Sequence, residues 1–168
     1  MKTRIISAFP GTGKTYYHIS NRENTLDSDS SNFSWIKDEK GKNTDKRNPE
    51  FPKNYMENIK SNIGKYDFIF VSSHKEVRDA LRENGIPYYL IYPPTEKKDQ
   101  FMKRYVDRGS SKEFISLMDS NWEKWISEID QEEEKGYTKI KMTLNSIEDE
   151  LNYILISEGN FNFNFKYN

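Results

Sequence analysis

The run Gly11-Thr12-Gly13-Lys14-Thr15, placed directly after the apolar stretch Arg4-Ile5-Ile6-Ser7-Ala8-Phe9, restricts the fold of this chain more than any other feature. A short apolar run stopped by Pro10-Gly11 reads as a buried strand, and Lys14 to Asn21 carries a pattern that can continue as a helix. A strand, a glycine-rich turn and a helix in immediate succession aim the N–H groups of the loop and of the first helical turn at one point. That point suits an anion. The eight residues Ala8 to Thr15 match GxxxxGK[ST], with Ala8 standing where the pattern has its first glycine. Gly11 and Gly13 let the backbone come close to a phosphate, and Pro10, Gly11, Thr12, Gly13, Lys14 and Thr15 are the expected nucleotide-binding residues. Lys14 is expected to reach the β and γ phosphates, and the Thr15 hydroxyl to ligate Mg²⁺. The alternative is a glycine-rich turn of no chemical consequence.

The remaining sequence repeats the alternation. Strands are expected at residues 25–29, 66–73, 87–92 and 139–144, and helices at 52–63, 76–84, 95–106, 112–134 and 147–156. Alternating strands and helices predict an α/β fold: three layers, with a parallel sheet of about five strands flanked by helices. The 168 residues fit a single domain. Residues 30–54 are polar and without period, and are expected to be an insertion that reaches, with the following helix, to residue 64. Phe161-Asn162-Phe163-Asn164-Phe165 alternates like a strand, though a frayed tail fits as well. Phe114, Leu117, Met118, Trp122, Trp125 and Ile129 fall at helical spacing and are expected to pack in the core.

Composition removes several classes of chemistry. There is no Cys, and His18 and His74 are the two histidines, so thiolate catalysis, disulfides and a His-rich metal centre are excluded. Lys and Arg number 26 against 27 Asp and Glu, which does not indicate a globally basic nucleic-acid binder. No stretch approaches the about 20 apolar residues that cross a bilayer, so no membrane partner is expected and a cytoplasmic location is. The Lys/Asn/Ile/Tyr-rich composition is compatible with an AT-rich bacteriophage or bacterial genome.

Phe9-Pro10-Gly11-Thr12-Gly13-Lys14-Thr15 resembles the corresponding loop of the adenylate kinases, and the order of elements resembles the P-loop kinases of the nucleoside monophosphate kinase and shikimate kinase group. The resemblance is motif-specific in this loop alone. It implies a P-loop NTPase fold, ATP as phosphoryl donor with Mg²⁺, an acceptor-binding insertion after the second strand, and an Arg-bearing lid after the fourth, here residues 94–111.

Asp27-Ser28-Asp29 looks like the Asp-x-Asp of the shikimate and gluconate kinases, in which one carboxylate serves Mg²⁺ through water and the other holds or activates the acceptor hydroxyl. A polar capping turn would use the same residues. In the lid, Arg104 and Arg108 are four apart and would share one helix face toward the transferring phosphoryl group; a solvated surface is the alternative. The strand Phe68-Ile69-Phe70-Val71 ends in Ser72-Ser73-His74, not in the Asp expected of a Walker B strand. His74 or Arg78 could meet the acceptor, with helix capping by Ser72 or Ser73 the ordinary reading. Phe33 and Trp35 could stack on an acceptor base or simply anchor the insertion.

The function expected is therefore an ATP-dependent kinase acting on a nucleotide or nucleotide-like acceptor. A hydroxyl acceptor, such as a small metabolite or a hydroxymethylated base in DNA, and an ATP-binding module without turnover are the alternatives.

Overall fold

The computed structural model describes residues 2–143 and 146–159. Among these, five parallel strands form one sheet, β1 (Arg4–Ala8), β2 (Thr25–Asp27), β5 (Phe68–Ser72), β6 (Tyr88–Tyr92) and β7 (Tyr137–Lys141), in the order β2-β5-β1-β6-β7. The first strand lies in the middle, pairing with β5 on one side (Ile6 opposite Phe70) and β6 on the other (Ile6 opposite Tyr89). All five residues of β1 are buried, as a strand covered on both faces requires.

Helices cover both faces, giving a three-layer α/β fold. α1 (Lys14–Ser20) and α7 (Ile147–Ser157) lie on one face, where the Tyr17 ring meets Phe68 and Phe70 edge-on. α3 (Lys53–Asn62), α4 (Lys75–Glu83) and α6 (Lys112–Gln131) lie on the other. Successive residues of β6 show the two sides. Tyr89 donates its hydroxyl to Glu158 just past α7, whereas Tyr88 stacks on Tyr137, over whose ring lies Arg82 of α4. α5 (Lys98–Asp107), entered through a 3-10 turn (Thr95–Lys97), packs on α6 and buries Phe101 and Tyr105.

Residues 30–54 hold more order than their composition announces. They contain a short helix α2 (Ser31–Ser34) and a hairpin of β3 (Trp35–Lys37) with β4 (Asn43–Arg47). Its residues are mostly exposed and polar, so no apolar period marks it. The turn is built by Asp38, whose Oδ1 accepts from the N–H groups of Lys40 and Lys42.

β7 begins two residues earlier than its sequence pattern indicates, because Tyr137 pairs with Tyr88 across the strands at a ring separation of 4.7 Å. In α6, Met118, Trp122 and Ile129 enter the core as expected, but Leu117 is 52 % exposed, and Phe114 and Trp125 are only partly buried. The alternating Phe residues after position 160 and the end of the strand expected at 139–144 lie outside the described residues.

Candidate functional site

The chain leaves β1 at its carboxyl end and turns at once into α1, on the strand where the sheet order reverses. Open parallel sheets place ligands at such a point. The intervening loop is held from three sides. Phe9 N–H donates to the Ile91 carbonyl of β6 at 2.9 Å, and the buried Thr12 hydroxyl returns to the Phe9 carbonyl at 2.9 Å. From α5, the Tyr105 hydroxyl donates to the Pro10 carbonyl at 2.8 Å and Arg104 Nη1 to the Gly11 carbonyl at 3.0 Å. From α7, Ile147 N–H donates to the Thr12 carbonyl at 3.2 Å. Engaging these carbonyls from behind fixes the opposite, N–H-bearing edge of the loop. Gly11 and Gly13 adopt φ of +82° and +105°, conformations that a side chain resists.

Lys14, at the start of α1, donates to the Ala8 carbonyl at 2.6 Å. Withdrawal from water pulls its ammonium down to about 8; the carboxylates of Asp27 and Asp29 act in the opposite sense, and Arg108 adds to the lowering. The Thr15 hydroxyl donates to Asp27 Oδ2 at 2.9 Å. Asp27 closes β2 in register with Phe70, Ser28 N–H continues the ladder to the Phe70 carbonyl, and the Tyr55 hydroxyl donates to the Ser28 carbonyl. Asp29 Oδ1 accepts from Ser31 N–H at 2.9 Å at the start of α2. The triplet thus both builds a turn and delivers carboxylates to the loop.

A cleft of about 890 Å³ opens over these groups. It is lined by Pro10 to Thr15, by Asp27 and Asp29, by Trp35, by His74 at the head of α4, and by Arg104 and Arg108. The Arg108 guanidinium lies over the rings of Tyr105 and Phe114, with Nε donating to Ser110 Oγ at 2.7 Å. Burial lowers the His74 imidazole, reinforced by the positive charges of Lys14 and Arg47, so its neutral form is favoured. Arg47 pairs with Glu76 and covers the rings of Phe51 and Trp35 at 4.6 and 5.6 Å.

Two of the expected residues lie elsewhere. Phe33 packs on Tyr55, with ring centroids 5.0 Å apart, and does not line the cleft. Arg78 is buried between α4 and α6, where it bonds the Ser73 carbonyl and, at 2.7 Å, Glu132. Ser72 lines the cleft and its hydroxyl accepts from His74 N–H at 3.3 Å, a turn contact before α4 and not a cap on it.

Sequence reasoning missed Tyr16, Phe51 and the Ser146-Ile147-Glu148 edge of the cleft. It also missed Tyr105, for which a signal existed: Phe101 and Tyr105 are four apart, on the face opposite the charges of α5. No local signal marks residues 146–148, because their position depends on how α7 docks.

The donor set near Thr15 consists of a hydroxyl and carboxylates, hard oxygens of the kind Mg²⁺ takes, and it is incomplete by itself. Among the described residues no cluster of three or more His, Asp or Glu side chains could hold a metal alone. Such a set fits an ion whose other ligands are water and nucleotide phosphates. Among the described residues no helix is long and apolar enough to cross a membrane. Searches against known protein families and against curated proteins find no match to this chain.

Proposed function

We propose that the chain is an ATP-dependent phosphotransferase with a P-loop kinase fold, acting on a nucleotide or nucleotide-like acceptor. The observation that carries this reading is the Thr15–Asp27 hydrogen bond at the foot of a glycine loop that also presents Lys14 to the cleft. It supplies, from β2, the carboxylate that β5 lacks at its carboxyl end.

In this reading the loop N–H groups and Lys14 bind the ATP phosphates, and Thr15 and Asp27 hold Mg²⁺, Asp27 through water. The ion would neutralise charge on the phosphates. Arg104 and Arg108, from the lid-like segment 94–111, lie where they could stabilise charge on the phosphoryl group in flight. Trp35, within the insertion at residues 30–64, and His74 bound the space left for the acceptor. Residues 1–168 would form one kinase domain, and a cytoplasmic setting suits ATP as donor.

A hydroxyl acceptor is the second reading, favoured by Asp29. It faces the same cleft, and its engagement with Ser31 N–H leaves a carboxylate able to take a proton. The acceptor oxygen would bond to the γ phosphorus as the bond from phosphorus to the β–γ bridging oxygen breaks. ADP leaves, and the hydroxyl proton passes to Asp29. A small metabolite or a hydroxymethylated DNA base could supply such a hydroxyl.

The test is ADP formation from ATP and Mg²⁺ with nucleosides, nucleoside monophosphates, sugar acids and hydroxymethylated DNA as acceptors. Turnover with one of them, lost in a folded Lys14→Ala variant, is the expected result. Tight ATP binding with negligible ADP across the whole panel would make the chain a binding module instead.

A further inference from the structure

Beside the cleft lies a second cavity of about 350 Å³ between α4 and α6, under the carboxyl ends of β1 and β5. We propose that it receives the nucleobase of the acceptor. This rests on the kinase reading and adds to it where the acceptor's ring is held.

The two spaces share Pro10, His74 and Phe114 as lining residues, so the smaller adjoins the larger across these side chains. An acceptor reacting near Asp29 and Lys14 can extend past His74 into it. Its walls are largely aromatic and aliphatic, with Phe9, Phe114, Leu117, Met118 and Trp125 among them. Rings and thioethers of this kind suit a flat heteroaromatic group. Leu117 and Trp125 carry apolar surface that the core does not absorb, although Met118 and Trp122 beside them on α6 are fully packed. The three exceptions to the core pattern of α6, Phe114, Leu117 and Trp125, all line this chamber.

Arg78 supplies the polar contact. It lines the chamber at 5 % exposure, and its terminal nitrogens are committed to Ser73 and Glu132. Its Nε is buried and has no hydrogen-bond partner among the described residues. A buried donor left unmade is unfavourable; with no exposed surface of its own, it would meet a ring nitrogen or carbonyl oxygen of a base once the Arg78 side chain turns toward the chamber. The insertion offers less: Phe33 is packed on Tyr55, and the Arg47 guanidinium lies over Trp35.

The experiment uses the common 2′-deoxynucleosides and their 5′-monophosphates as probes, without ATP. Binding is read by calorimetry and by tryptophan fluorescence in the wild-type chain, Trp125→Phe and Leu117→Trp. Saturable quenching by at least one probe is expected in the wild type. The Trp125 share of the quench should be lost in Trp125→Phe while calorimetric binding persists, leaving at most what Trp35 in the cleft contributes, and affinity should fall roughly tenfold or more in Leu117→Trp, whose added ring fills the chamber. A melting temperature close to wild type certifies that variant, and if it does not fold the Trp125→Phe comparison decides alone.

Unchanged affinity in folded Leu117→Trp, a quench undiminished in Trp125→Phe, or no binding by any probe overturns the assignment. So does binding of an apolar dye alone. Phosphoryl transfer to a nucleotide with an unaltered acceptor KM in Leu117→Trp would reject the chamber and keep the kinase. Base binding in the chamber without ADP formation from any acceptor would do the reverse.

Discussion

Gly11→Ala tests the central geometric claim, that α5 presses on the glycine loop from behind. Gly11 has φ of +82°, and a Cβ built there would lie 2.7 Å from Tyr105 Cε1 and 3.1 Å from Phe101 Cδ1. The left-handed backbone alone costs an alanine about 1–2 kcal/mol. The ring contact adds an overpacking penalty of about 1–3 kcal/mol, since Phe101 and Tyr105 are both fully buried and have little room to retreat. Together these give a destabilisation of about 2–5 kcal/mol, a large part of the stability of an ordinary domain. Urea unfolding of the two proteins measures it as a change in midpoint at constant slope.

The two contributions separate in a double-mutant cycle. Tyr105→Leu removes the nearer ring edge, so Gly11→Ala in that background should cost less, the about 1–2 kcal/mol of backbone plus what the Phe101 contact at 3.1 Å retains. If Gly11→Ala costs less than about 1 kcal/mol, or the same with and without the Tyr105 ring, the loop is not braced by α5 and the argument fails.

Further outcomes are expected at Lys14, at Asp27 and Asp29, and at Arg108. Lys14 titrates near 8 in the folded chain against 10.5 ordinarily, so the unfolded state holds more protons between those values and stability should rise with pH across that window. By the same shift, ATP binding at pH 9 should take up a proton as the phosphates recharge the ammonium; calorimetry in buffers of different ionisation heat detects it, and no uptake would refute the placement of Lys14 beside the phosphates. Asp27→Asn should raise the Mg²⁺ concentration for half-maximal turnover by about 10- to 100-fold. Asp29→Asn should instead lower kcat by roughly 10²–10⁴ with ATP affinity kept, and if both variants retain full turnover the triplet only builds its turn. Arg108→Ala should reduce turnover about 100-fold or more, while wild-type kinetics would leave its guanidinium as packing on Tyr105 and Phe114.

The loop, the strand before it and the helix after it were legible because every signal involved is local: an apolar run, two glycines and a Lys-Thr pair within a dozen residues. Asp27 and Asp29 were legible for the same reason, their spacing on one strand end. The hairpin of residues 35–47 was not, because its exposed polar strands have no buried face to impose a period. Leu117 and Trp125 carry the same spacing as Met118 and Trp122, and only the position of α4 leaves them beside a cavity and not within the core. Arg78 sits four residues from His74, yet one faces Glu132 and the other the cleft.

By itself, then, the sequence determined the alternation of strands and helices and the glycine turn between β1 and α1, since both follow from patterns a few residues long. Tertiary structure decided that Asp27 reaches Thr15, that Tyr105 and Arg104 clasp the loop from 93 to 95 residues away, and that Phe33 does not line the cleft. These depend on the sheet order and on how α5 and α7 dock. Contacts between elements far apart in the chain are set by shape and burial, which no local spacing encodes.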